Sequence, residues 1–154
     1  MRKAWILLII LLLVTALLPA SAAGEDLQET NDETGYRLVI HDEGGLLDPA
    51  ETESILESMR PILQYANAGF LTYPPGGNRT NSATKAQEWG DRVFGYNTRF
   101  TVFIIDMTNR HLDIYASRPL SGILTAAEEN SIADNIYKLA SRGDYAGCAR
   151  QSKT

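Results

Sequence analysis

The stretch Thr101–Ser117, TVFIIDMTNRHLDIYAS, decides the fold. Val102-Phe103-Ile104-Ile105 is an apolar run of the length and composition of a strand buried on both faces. Asp106 ends it. Thr108-Asn109-Arg110 then supplies a polar turn, and Leu112-Asp113-Ile114-Tyr115 alternates in the manner of an antiparallel return strand. A carboxylate at the end of the most buried strand needs a physical reason to be there.

Reading back towards the amino terminus, Phe70-Leu71-Thr72-Tyr73 is a second strand, closed by Pro74-Pro75-Gly76-Gly77. Tyr36-Arg37-Leu38-Val39-Ile40 is a third, ended by the bend His41-Asp42-Glu43-Gly44-Gly45. Between these two, Asp48-Pro49-Ala50-Glu51 is a helix start, with Asp48 as cap, Pro49 in the first turn and Glu51 completing a capping box. Ile55, Leu56, Met59, Ile62, Leu63 and Ala66 carry the helical period, which Pro61 kinks or ends early. Asn67 and Gly69 read as stop signals. A helix through Ala83, Ala86, Trp89 and Val93, capped by Ser82 or Thr84, ends at Phe94-Gly95. Asn78-Arg79-Thr80 matches a glycosylation sequon, a pattern short enough to recur by chance.

Beyond the opening stretch, Thr125-Ala126-Ala127-Glu128 is a second capping box. It starts a helix with the apolar face Ile132, Ala133, Ile136, Leu139 and Ala140. Gly143 caps its end, and Asp144 starts a final short helix. The chain stops at Gln151–Thr154 without a helix-end signal, which reads as a C-terminal truncation. The order β-α-β-α-β-β-α-α predicts an α/β fold. We expect a three-layer α/β/α sandwich around a mostly parallel sheet of about four strands, with an antiparallel edge hairpin.

Residues 1–22 read as a secretory signal. Arg2 and Lys3 precede the apolar Ala4–Leu18, and Ala20-Ser21-Ala22 supplies the small residues for cleavage after Ala22, with the bond after Ala23 as the alternative. Residues 23–35 are an acidic linker without an apolar period, and residues 36–154 form one domain. The expected destination is extracellular or the cell envelope. The 154 residues carry a net charge of -5 with no basic stripe, which argues against nucleic acid as a partner. That balance suits cation binding, or simply solvation. One cysteine, Cys148, allows no internal disulfide, and a buried inert thiol is expected. His41 and His111 stand far apart without a Cys-x-x-Cys, which disfavours zinc.

Sites in open α/β sheets lie beyond the carboxyl ends of the strands. Asp42 and Asp106 fall there, with Asp134 on the third long helix as a third carboxylate. Two converging carboxylates repel unless a cation or proton sits between them. Oxygen ligands without sulfur point to a divalent cation, calcium favoured over magnesium. The plainer reading is that each aspartate caps a turn. No phosphate-binding loop, dinucleotide fingerprint, nucleophile elbow or EF-hand loop is present.

Val39-Ile40-His41-Asp42-Glu43-Gly44-Gly45-Leu46-Leu47-Asp48 resembles the opening of a TPM domain. Phe94-Gly95, Phe103–Arg110, Ile132–Tyr137 and Gly143-Asp144-Tyr145 agree with it in order and spacing. The family takes in a thylakoid-lumen acid phosphatase, a photosystem II repair factor, a receptor-accessory protein and many bacterial exported proteins. The resemblance implies an extracytoplasmic, often membrane-associated α/β/α sandwich. It implies divalent-cation binding at positions matching Asp42, Asp106 and Asp134, and in some members phosphatase activity. Three functions therefore compete. The first is a cation-binding accessory in membrane-protein assembly or maintenance, with a membrane-protein or cell-envelope partner. The second is a metal-assisted phosphatase with Arg110 or Arg118 as clamp. The third is a purely structural partner-binding module.

Overall fold

A computed structural model describes residues 26–123 and 126–151. The segment read as a signal lies outside the described residues, as does Thr125 of the second capping box. The strands are β1 (Leu27–Thr30), β2 (Arg37–Asp42), β3 (Asn67–Tyr73), β4 (Phe100–Asp106) and β5 (His111–Ala116). The helices are α1 (Pro49–Met59), α2 (Ser82–Phe94), α3 (Ala126–Ala140) and α4 (Tyr145–Gln151), with short 3-10 turns at Arg60–Gln64 and Arg118–Leu120. The strands form one sheet in the order β1-β2-β3-β4-β5. The central three are parallel, and both outer strands run antiparallel to their neighbours.

The sheet therefore has five strands rather than about four. The extra one is β1, in the stretch whose acidic composition predicts a linker. Burial does not hold it there, since its residues are mostly exposed. Polar pairing does. Arg60 donates two hydrogen bonds to the Glu29 carboxylate, at 2.6 and 2.9 Å. Asp26 pairs with His41. Asn31 accepts from the Glu33 and Thr34 amides to make the turn, and Gly35 takes φ 72°, which glycine reaches without strain.

The capping box of Asp48 and Glu51 forms as the sequence predicts, and Pro61 converts the end of α1 into a 3-10 turn. Strand β3 starts at Asn67, where the sequence predicts a stop. Asn67 keeps its backbone needs satisfied by bridging strands: its side chain accepts from the Arg37 amide and donates to the Arg99 carbonyl. Gly69 serves β3 because the Trp89 ring lies against it, so a methyl there would overlap the indole.

Side chains alternate across the sheet into two cores. Leu38, Ile40, Phe70, Phe103 and Ile105 face α1, α3 and α4, meeting Ile55, Met59, Ile136 and Cys148. Val39, Leu71, Val102 and Ile104 face α2, meeting Ala86 and Trp89. Helix α2 approaches the sheet through Gly90, where an added methyl would overlap the Phe100 ring. Cys148 is fully buried, and burial pushes its thiol pKa up to about 11. It is thus a core residue without thiolate character at neutral pH.

The outer strand β5 is guarded. The Ser117 amide donates to the Phe100 carbonyl, which sets the antiparallel alternation so that the Ile114 N–H points outward. The Asp113 carboxylate accepts that N–H at 2.9 Å. Burial pushes Asp113 above the ordinary carboxylate value despite this bond and the nearby His111.

Candidate functional site at the end of the central strand

Asp106 is fully buried, and its register neighbour across β3 is Tyr73. Its side chain shares the α2 face with Val102 and Ile104. Five donors converge on it. Oδ2 accepts from Lys85 Nζ at 2.7 Å, Asn109 Nδ2 at 2.9 Å and Ser82 Oγ at 3.0 Å. Oδ1 accepts from the backbone amides of Thr108 at 3.0 Å and Asn109 at 3.2 Å. Burial pushes its pKa up, but the bonds from Lys85, the Asn109 amide and Ser82 outweigh burial and hold it below the usual carboxylate value.

Lys85 is 7% exposed. Its ammonium also lies 4.9 Å from the centre of the Tyr73 ring, a second favourable setting for the charge. Ser82 and Lys85 sit one turn apart at the start of α2, on the same stripe as Ala86 and Trp89. The helix cap is Asn81, whose side chain accepts from the Ala83 and Thr84 amides, so Ser82 is free to serve Asp106. Around this cluster the hairpin turn is tied down. Thr108 Oγ1 donates to the Pro74 carbonyl at 2.7 Å and accepts from the Gly77 amide, and Asn109 Nδ2 donates to the Thr80 carbonyl. A shallow cleft of about 160 Å3, bordered by Lys85, Tyr73, Arg92, Glu43 and Glu88, opens above it.

Asp42 stands at the same end of the sheet but on the opposite face, with Leu38 and Ile40. Its register neighbour is Thr72, and it accepts from the Thr72 hydroxyl and from the Leu46 and Leu47 amides, both at 3.0 Å. It folds the glycine-rich bend back under the strand. Strands β2 and β4 are separated by β3, about 10 Å apart in backbone terms. The period of two then turns the aspartates to opposite sides. Asp134 is exposed on α3. Asp42, Asp106 and Asp134 are therefore not brought together, and among the described residues no group of three His, Cys, Asp or Glu side chains could hold a metal ion. Arg110 is exposed in the hairpin turn, and Arg118 follows β5 at the far end of the sheet from Asp106.

The sequence reading missed Lys85. The signal was present: a lysine at a position that the Ala86 and Trp89 stripe buries must meet a carboxylate, and Asp106 is a carboxylate buried on the facing strand.

No family model matches the chain, and no curated protein matches it. Among solved structures, it is similar to the solution NMR structure of the N-terminal domain of a protein from P. gingivalis. That likeness has a TM-score of 0.56 at 20% identity and covers 71% of this chain and 73% of that one. It supports the α/β fold and carries no activity with it. Among the described residues no helix is long and apolar enough to cross a membrane.

Proposed function

We propose that this chain is a TPM-like accessory domain of the cell envelope that works by binding a partner, not by catalysis. One observation carries the reading: the Asp106 carboxylate is satisfied from within, by the Lys85 ammonium and four further donors. A carboxylate so engaged has no free lone pair to spend on a metal or on a water molecule, and its lowered pKa disfavours it as a proton carrier. Its service is to lock the hairpin turn, the Pro74–Gly77 bend and the start of α2 into one rigid edge. The partner on this reading is a membrane protein or another envelope component.

Thermal unfolding with and without calcium, beside a phosphomonoester assay, tests the proposal. We expect the melting temperature to be unchanged by millimolar calcium and no phosphate release to depend on Asp106. A calcium-induced rise that vanishes in Asp106→Asn would restore the cation-binding reading. Turnover abolished by the same substitution in a variant that still gives a folded spectrum would establish the phosphatase.

A further inference from the structure

At the opposite end of the sheet from Asp106, a second cleft of about 250 Å3 lies between α2, β5 and the loop joining α2 to β4. Gln87 and Asp91, one turn apart on α2, border it on one side, and Tyr115 of β5 and Arg118 border it on another. Tyr96 and Asn97 complete it. Gly95 at φ 101° and Asn97 at φ 60° bend this loop sharply, and Tyr96 is left 75% exposed. Ser117, which also lines the cleft, already accepts from the Phe100 amide, but four other polar side chains are not engaged in this way. Among the described residues, Gln87, Asp91, Asn97 and Arg118 make no side-chain hydrogen bond or ion pair, whereas Tyr115 packs its ring on Phe100 at 5.9 Å.

The mixture of groups restricts the ligand. A phosphate would meet Arg118 but also the Asp91 carboxylate. A cation would meet Asp91 but also the guanidinium. An apolar ligand would strip water from four polar side chains and return nothing to them. A neutral molecule with many hydroxyls can donate to Asp91, accept from Arg118 and do both with the two amides. If it also has apolar C–H faces, it can lie against tyrosine rings, which offer a large contact area at low entropic cost. We infer that this cleft is a carbohydrate subsite, sized for a ring or two of a neutral saccharide. The inference stands apart from the accessory reading of Asp106, because it uses none of the same residues.

The test is an NMR titration of the 15N-labelled chain with three neutral trisaccharides: maltotriose, cellotriose and chitotriose. We expect at least one to move the amides of Gln87, Asp91, Tyr96, Asn97 and Arg118 while leaving those of Thr108 and Asn109 in place. A dissociation constant on the order of 1 mM is the scale for a single shallow subsite. Tyr96→Ala and Asp91→Ala should each weaken the response at least about tenfold, which is about 1.4 kcal/mol. Tyr96 is exposed, so its variant should otherwise give an overlaying spectrum. Inorganic phosphate and calcium chloride serve as competing probes. The absence of shifts with all three sugars, shifts that persist in both variants, or stronger shifts with phosphate or calcium would each overturn the inference.

Discussion

At the scale of single residues, the arrangement turns on one buried charge pair. A buried ion pair is not by itself a large source of stability, but removing one partner strands the other. Lys85→Met should therefore destabilise the fold by about 3–5 kcal/mol in chemical denaturation. Asp106→Asn should cost a similar order, and the double variant should lose clearly less than the sum, because the two changes share one interaction. Additive losses would show that the pair is not coupled. The pH dependence has a definite sign. The folded-state pKa of Asp106 lies below its ordinary value of about 3.9. Its stabilisation is complete above pH 4 and is lost as pH falls through the lower folded value. The wild-type chain should show a steep loss of stability below pH 4 that is shallower in Asp106→Asn. Asp113 works in the opposite sense: its pKa is raised, so its cost stands above that raised value and is relieved as pH falls towards 4. The two contributions thus occupy different parts of a pH titration.

At the scale of elements, α2 and the strands beneath it show what a sequence displays and what it conceals. Its apolar period placed the helix, and the hairpin at Thr108–Arg110 was legible from a polar triplet between two apolar runs. Conversely, Gly69 read as a stop because a glycine looks the same whether it ends a helix or makes room for an indole on the next element. Strand β1 was hidden for a related reason. Three of its four residues are polar, and the groups that pin it, Arg60 and His41, are distant in sequence. The separation of Asp42 and Asp106 had the same origin: both end strands, but the parity that puts them on opposite faces needs the register. Close approach at Gly90 gives a prediction for this scale. Gly90→Ala forces a methyl into the Phe100 ring, and overpacking of this kind costs about 1–3 kcal/mol. An exposed helical glycine would instead gain from the same change. The denaturation midpoint of Gly90→Ala decides between loss and gain.

At the scale of the whole molecule, stability should be graded across the sheet. Strands β3 and β4 are paired on both sides and covered by both cores, whereas β1 is exposed and bonded along one edge only. Native-state amide exchange should be slowest in β3 and β4 and fastest among the strands in β1. Equal protection of β1 and β4 would mean that the polar contacts of Glu29 and Asn31 hold as firmly as a double core. The alternation of strands and helices made the layered fold legible. The separation of Asp42 from Asp106 was not, because it depends on strand register rather than on composition.

The Asp113 contact to the Ile114 amide has a consequence for the protein in a crowd. An outward N–H on a long edge strand is a template on which a neighbour's extended chain can grow, and repeated addition leads to fibres. Here the strand supplies its own stopper, a carboxylate folded onto the donor that a stranger would need. At that position the rim withholds one of the donors that an added strand would need.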